Sequence, residues 1–192
     1  DLFSSYVFAR NAYPDRKPDV RVYFPHCAGI FSANVNDERV TCSHCRVTFD
    51  PHHAPANGAS ATCTACKHTY AIAKAAKIAG CPPSHRIFAK LVLTTSDDKQ
   101  YLPVSTADME AYQDCRVELA RSDLPLPTLE LEDGHNTRQA INYSYQSWRQ
   151  FFNDRQLLAL GWLREAILGL RQEAVRDAML TVFSGTLEFN NL

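Results

Sequence analysis

The sequence predicts an α+β fold, with short β-strands in its first half and helices in its last third. Apolar and polar residues alternate over residues 20–24, which is the two-residue period of a β-strand. Two pairs of cysteines, each pair separated by two residues, lie in a segment with few large apolar side chains. After residue 153, apolar side chains recur at helical spacing: Leu157, Leu160, Ile167 and Leu170.

Residues 1–38 are predicted to be an N-terminal segment with a short strand. The alternation at 20–24 marks that strand, and residues 30–35 indicate a second one. Before them, four side chains have the spacing of one helical face: Phe3, Tyr6, Val7 and Phe8.

Residues 39–80 are predicted to form a cysteine-bearing ribbon and a short helix. A strand is expected at 47–49, and residues 50–61 favour an exposed loop because they hold two prolines, a glycine and small side chains. The alanine-rich residues 70–79 predict a helix, which Gly80 can end in a left-handed cap.

Residues 81–120 are predicted to form a β-hairpin and a helix. The strand signal at 86–95 is followed by a turn at 96–99 and by a partner strand at 100–104. A helix is expected over 105–120 because the chain offers N-capping residues there: Ser105 or Thr106, with Asp108.

Residues 121–150 are predicted to be an extended linker, because 121–142 contain prolines and a glycine and lack a clear period. Residues 151–192 are the predicted helical C-terminal region, with Asn153 or Asp154 capping a helix that begins near Arg155. Three further expectations concern its end: a break or kink at Gly169, a helix end at Ser184–Gly185, and a strand-like segment at 186–189.

The abrupt start at Asp1 and the end at 190–192 favour a segment excised from a larger protein.

The paired cysteines predict a structural zinc site. The pattern is C-x2-C, 17 residues and C-x2-C, formed by Cys42, Cys45, Cys63 and Cys66. Two such turns can aim four thiolates at one tetrahedral ion, which leaves no open position for catalysis. Metal binding would also organise a segment whose large apolar side chains are few. The competing interpretations are a redox dithiol and a disulfide pair.

The remaining cysteines, Cys27, Cys81 and Cys115, have no partner at ligand spacing and are expected to be small buried side chains. His44 and His68 could each replace a cysteine as ligand, but four cysteines suffice, so both are expected at the surface. His52 and His53 are expected in a solvated loop.

Charge is distributed unevenly along the chain. Residues 39–90 carry seven basic and one acidic side chain, a net charge of +6, whereas residues 1–38 carry −1 and residues 91–192 carry −6. A basic middle segment favours a local anionic partner such as DNA, against the alternative that a mixed surface sums this way by chance.

Motifs for catalysis are missing from the sequence. The glycines never cluster into a phosphate-binding loop, and no glycine-flanked serine suggests a nucleophile. No apolar run approaches the roughly 20 residues of a membrane span, and residues 1–10 lack the basic start and long apolar stretch of a signal peptide, so a cytoplasmic location is expected.

Four segments resemble large prokaryotic adenine-specific DNA methyltransferases whose chain carries a zinc-ribbon insertion. The more specific two are F-N-D-R-Q-L-L-A-L-G at 152–161 and R-D-A-M-L-T-V-F-S-G-T-L-E-F-N-N at 176–191. P-P-S-H-R-I-F-A-K-L-V-L at 82–93 and Y-L-P-V-S-T-A-D at 101–108 resemble the region C-terminal to the ribbon in those enzymes.

The resemblance implies a parent enzyme, in a role such as restriction-modification, that transfers a methyl group from S-adenosylmethionine to adenine in DNA. The Asp/Asn-Pro-Pro-aromatic motif and the donor-binding glycine loop of such enzymes are absent, so no catalytic residue is assigned and S-adenosylmethionine belongs to the parent only. The chain is then expected to be an accessory region for DNA binding and target recognition, inactive alone, with the parent's catalytic domain as a partner.

Candidate phosphate contacts are the cations around the ribbon: Arg39, Arg46, Lys67, Lys74, Lys77 and Arg86. Taken singly, each of these residues is more often an ordinary exposed charge than a DNA contact. Taken as a cluster, they are better explained by DNA binding. The alternative function is a zinc-ribbon module that binds protein and no nucleic acid.

Overall fold

In the computed structural model, residues 2–189 are described except for Ala12, Pro14, Ser96 and Asp97. Helices and antiparallel strands are both present, so the predicted α+β class is confirmed. The chain divides into two units between Val104 and Ser105, a boundary that falls inside the predicted 81–120 segment.

The described residues of the first unit form ten short strands and one helix. The strands are β1 (Val7–Arg10), β2 (Asp19–Phe24), β3 (Gly29–Asn34), β4 (Val40–Thr41), β5 (Thr48–Phe49), β6 (Ala56–Asn57), β7 (Ser60–Thr62), β8 (Thr69–Ala71), β9 (Ala89–Leu93) and β10 (Lys99–Pro103), and the helix is α1 (Ile72–Ala79).

The first sheet has the order β1-β2-β3 and confirms the two strands predicted at 20–24 and 30–35. Val20 and Val22 lie on either side of Arg21 and are buried, and with Val40 they form a buried apolar cluster of this unit. The helical face expected at residues 3–8 is wrong, because Val7 pairs with Val22 and β1 completes the sheet. Pairing along a neighbouring strand overrides a spacing that looks helical in a short segment.

The ribbon consists of two small antiparallel sheets. β4 pairs with β5, and β6, β7 and β8 form a three-stranded sheet in that order. Residues 50–61 are therefore not a plain loop, since β6 and the start of β7 lie within them. The predicted helix is confirmed as α1, and Gly80 ends it in the left-handed region at φ 69°.

The hairpin predicted for residues 86–104 is confirmed as β9 and β10. Ala89 pairs with Pro103 at one end of the hairpin, and Leu93 pairs with Lys99 at the other. Ser96 and Asp97 of the predicted turn lie outside the described residues, as do Asp1 and the terminal residues 190–192.

The second unit contains the remaining helices: α2 (Thr106–Arg121), α3 (Arg138–Asn142), a 3₁₀ turn (Trp148–Phe151), α4 (Asp154–Leu168) and α5 (Glu173–Phe189). Both predicted caps are confirmed, since Ser105 with Asp108 and Asn153 with Gln156 form capping boxes. The break expected at Gly169 is confirmed as the end of α4.

Three expectations for this unit are wrong. Helix α5 continues through Ser184–Gly185, so 186–189 is helical and not strand-like. Residues 121–150 include α3 and the 3₁₀ turn, and they are anchored, because Leu124 and Leu126 pack on the buried cluster of Leu119, Leu157 and Leu158.

Within the part of the chain that the structure describes, none of the helices has the length and apolar content that crossing a membrane requires.

Candidate metal centre

Three hairpin turns of the first unit share one backbone pattern. In the turn between β4 and β5, the Cys42 amide donates to the Val47 carbonyl at 2.9 Å. In the turn before β8, the Cys63 amide donates to the His68 carbonyl at 2.9 Å. In the turn between β2 and β3, Phe24 is paired with Gly29, so the same five-residue offset closes all three turns.

The residue directly after the last cysteine of each turn has a left-handed backbone. These φ angles are 55° for Ala28, 63° for Arg46 and 61° for Lys67. A non-glycine residue in this region costs roughly 1–2 kcal/mol, so the shared geometry needs a local reason. In proteins, a turn of this kind aims cysteine sulfur atoms and backbone amides toward one point.

Two of the turns are also repeated in sequence, a signal that the cysteine spacing alone did not reveal. Residues 41–49 and 62–70 both read T-C-x-x-C, a basic residue, any residue, T and an aromatic residue. The paired threonines touch in both copies, since the Oγ1 atoms of Thr41 and Thr48 are 2.9 Å apart and those of Thr62 and Thr69 are 2.9 Å apart.

Three cysteines from two of these turns form the candidate metal centre. The Sγ atoms of Cys27, Cys42 and Cys45 all lie within 4.8 Å of one another, and those of Cys27 and Cys42 are 3.5 Å apart. A tetrahedral ion with metal–sulfur distances of about 2.3 Å needs sulfur atoms about 3.8 Å apart. The three thiols therefore lie close enough together to bind one metal ion.

The structure groups the cysteines differently from the sequence-based prediction of one four-cysteine site. Cys42 and Cys45 are brought together, but with Cys27, while Cys63 and Cys66 lie outside this group. The reason is the β2–β3 hairpin, whose turn carries Cys27 to the β4–β5 turn. The expectation that Cys27 is a small buried side chain without a partner is wrong.

Backbone amides tune the thiols of both cysteine pairs. Burial by itself would raise the pKa of Cys42, but the amides of Cys45 and His44 point at its sulfur and lower that pKa. The pKa of Cys63 is lowered by the amides of Cys66 and Ala65 in the same way. Both turns thus favour a thiolate at their first cysteine.

Cys27 behaves differently from these two thiols. Burial and the neighbouring Cys42 thiol raise the pKa of Cys27 to about 11. Adjacent thiols resist simultaneous ionisation because like charges repel, and a bound cation removes that penalty. The donor set therefore fits a metal ion and does not fit three free thiolates.

Gly29 lies directly against the three-cysteine cluster. A Cβ atom at this position would lie 2.8 Å from Cδ2 of His44, 3.1 Å from Sγ of Cys27 and 3.2 Å from Sγ of Cys42. The missing side chain is what allows the backbone of β3 to approach the sulfur atoms.

The six candidate phosphate contacts are all exposed. Arg46 and Lys67 occupy the left-handed positions of the two repeated turns, and Lys74 and Lys77 lie on α1. Arg39 donates to the Thr48 carbonyl at 3.4 Å, and Arg86 donates to the Tyr23 hydroxyl at 3.3 Å. The histidines expected at the surface are exposed as well: His44, His52, His53 and His68.

The two other cysteines lie apart from the cluster. Cys81 is exposed, so the expectation that it is buried is wrong. Cys115 is half-buried and packs against the Leu119 cluster of the second unit.

No protein family, curated protein or solved structure matches this chain. The resemblance to adenine-specific DNA methyltransferases therefore stays a prediction from sequence motifs, and the candidate metal centre is supported by the positions of its three cysteines.

Proposed function

We propose that this chain is a zinc-stabilised DNA-binding region that serves an S-adenosylmethionine-dependent adenine-specific DNA methyltransferase in target recognition. The observation that carries the DNA-binding part is the pair of cations at equivalent strained positions. Arg46 and Lys67 adopt left-handed φ angles of 63° and 61° where glycine would be free of strain. The cysteine turn accounts for the left-handed backbone, which Ala28 shares, but not for the choice of a cation at the two exposed repeated turns. A long cationic side chain at each of them is explained if it binds an anion.

Zinc is the ion we propose for the cysteine cluster. Cysteine thiolates are soft ligands that suit zinc in structural sites, and the ordered turns fit one tetrahedral ion. The buried apolar side chains of the first unit are mostly small, with Val20, Val22 and Val40 in one cluster and Ala56, Ala61 and Ala76 also buried. Zinc binding supplies on the order of 10 kcal/mol to small domains of this kind, which would offset the ordering of the ribbon.

The cations around the ribbon suit a phosphate backbone. Residues 39–90 carry a net charge of +6, and six of their seven arginine and lysine side chains are exposed, including Arg46 and Lys67 in the cysteine turns and Lys74 and Lys77 on α1. Adenine must leave the duplex before its exocyclic amine can be methylated, so the parent enzyme needs a region that holds the flanking DNA. We propose that this chain binds the flanking DNA, and that a separate catalytic domain carries the S-adenosylmethionine site.

The test is the double variant Arg46→Gly/Lys67→Gly. Glycine relieves the left-handed strain, so the melting temperature stays equal or rises, while two phosphate contacts are lost. Duplex affinity at low salt falls about tenfold, and the slope of log affinity against log salt becomes shallower by about two. Fluorescence anisotropy at several salt concentrations measures both quantities.

The matched control removes two exposed cations of the second unit, Arg155→Gln/Arg171→Gln, and leaves affinity and slope unchanged. A wild-type chain that binds duplex no better than an uncharged protein, or a glycine variant that binds as the wild type does, contradicts the proposal.

The β9–β10 hairpin favours a second candidate function, docking on protein. Leu91 and Leu93 are 50% and 60% exposed, and Val92 and Leu102 are also exposed. Apolar side chains concentrated on one hairpin are typical of an interaction surface. If docking is the sole function, Leu91→Ser/Leu93→Ser abolishes association with the parent's catalytic domain while the chain shows no salt-dependent DNA binding.

A further inference from the structure

We infer that a metal ion at the Cys27–Cys42–Cys45 site is held by three protein thiolates and keeps a fourth coordination position for a small exogenous thiolate or water. This inference rests on the zinc binding proposed above and is independent of DNA binding. It assigns a ligand-accepting position to a site whose sequence pattern predicts a closed four-cysteine shell.

The common register of the three turns identifies the missing ligand. Cys42 and Cys63 each stand three residues before the second cysteine of their turn, and each amide donates to the carbonyl five residues later. In the turn between β2 and β3, Phe24 lies three residues before Cys27 and pairs with Gly29. Phe24 therefore occupies the position of a first cysteine, and a phenyl ring offers a metal ion no lone pair.

The ring of Phe24 is engaged elsewhere. It stacks on Phe49 with centroids 4.1 Å apart and planes inclined by 15°. Phe49 in turn contacts Tyr6 and Phe31 edge-on. The side chain that replaces the fourth thiolate is thus part of the aromatic packing between the two hairpins.

Among the described residues, no other cysteine, histidine or carboxylate completes the group. Cys63 and Cys66 lie outside it, and so do the ring nitrogens of His44, although Cδ2 of His44 lies near Gly29. Cys42 is buried, whereas Cys27 and Cys45 are only half-buried, so the cluster lies at the edge of the unit's interior and not deep inside it. Three protein ligands with an accessible fourth position is the arrangement of zinc sites that exchange a ligand.

Cobalt spectroscopy on the full chain tests the inference, because Co²⁺ reports the number of thiolate ligands by its absorption. The chain is loaded with Co²⁺ under a non-thiol reductant and titrated with 2-mercaptoethanol. Wild type shows a saturable rise in sulfur-to-cobalt absorption and a shift of the visible bands. Phe24→Cys shows the four-thiolate spectrum before any thiol is added, binds Co²⁺ at least tenfold more tightly and does not respond to the titration.

Phe24→Leu is the matched control, since it removes the ring without adding a ligand, and it responds to thiol as the wild type does. A wild-type spectrum that ignores added thiol overturns the inference. So does a loss of sulfur-to-cobalt absorption in Cys63→Ala/Cys66→Ala, or a changed spectrum in His44→Ala, because either result means that the protein itself closes the site. Absence of Co²⁺ binding in wild type and Phe24→Cys alike contradicts the zinc proposal as well, which separates the two failures.

Discussion

Single residues at the candidate metal centre are constrained by the space around the sulfur atoms. Gly29 has no side chain where a Cβ would lie 2.8 Å from Cδ2 of His44 and close to the sulfur atoms of Cys27 and Cys42. Its role is therefore close approach and not an unusual φ angle. The left-handed residues Ala28, Arg46 and Lys67 show the second constraint, because each follows a cysteine that must point into the turn.

Gly29→Ala tests the first constraint. The added methyl group displaces Sγ of Cys27 or Cys42, so we expect zinc affinity to fall at least tenfold and the free energy of unfolding to fall by about 1–3 kcal/mol. Competition with a chromophoric chelator and thermal unfolding measure the two effects.

Gly58→Ala is the control, since no described atom lies within 4 Å of its Cβ position. Its φ of 58° makes alanine cost about 1 kcal/mol, but zinc affinity should not change. Wild-type zinc affinity in Gly29→Ala would contradict the close approach.

At the scale of elements, the helix starts and ends that depend on neighbouring residues could be predicted from the sequence. The capping boxes at Ser105 and Asn153 begin their helices where their side chains can accept from backbone amides, and Gly80 ends α1. One failure arises from a pairing partner distant in sequence, because Val7 pairs with Val22 and residues 7 and 8 therefore belong to a strand. The other is local, since α5 continues through Gly185 to Phe189 and a glycine inside a helix is tolerated.

Two glycines inside helices give opposite predictions for the same substitution. In α4, a Cβ on Gly161 would lie 2.9 Å from Cδ1 and 3.0 Å from Cβ of Leu124. Gly161→Ala should therefore lower the free energy of unfolding by about 1–3 kcal/mol through overpacking, even though alanine favours a helix. In α5, a Cβ on Gly185 would have no described atom within 4 Å. Gly185→Ala should therefore raise the free energy of unfolding by about 0.5–1 kcal/mol.

Urea unfolding of both variants, followed by circular dichroism, gives the two free energies. Destabilisation by Gly185→Ala would mean that the helix ends at Gly185 after all. A neutral or stabilising Gly161→Ala would mean that residues 124–126 do not pack against α4.

At the scale of the whole molecule, the α+β class and the presence of cysteine turns could be predicted from the sequence, but the membership of the cluster could not. The C-x2-C spacing identifies cysteines that are separated by two residues. Cys27 has no such partner, because Phe24 occupies the position of the first cysteine. Only the β2–β3 pairing carries Cys27 to Cys42. A comparison of the three turns would have found it, since Cys27, Cys45 and Cys66 are each followed four residues later by an aromatic residue.

The most direct test of the central claim is the zinc content of two variants of the full chain, measured by elemental analysis after removal of loosely bound metal. If Cys27 completes the site, Cys27→Ala loses tightly bound zinc, whereas Cys63→Ala/Cys66→Ala retains the zinc held by Cys42 and Cys45. The reverse pattern, with full zinc in Cys27→Ala and none in Cys63→Ala/Cys66→Ala, would contradict the claim and restore a single site shared by the two repeated turns.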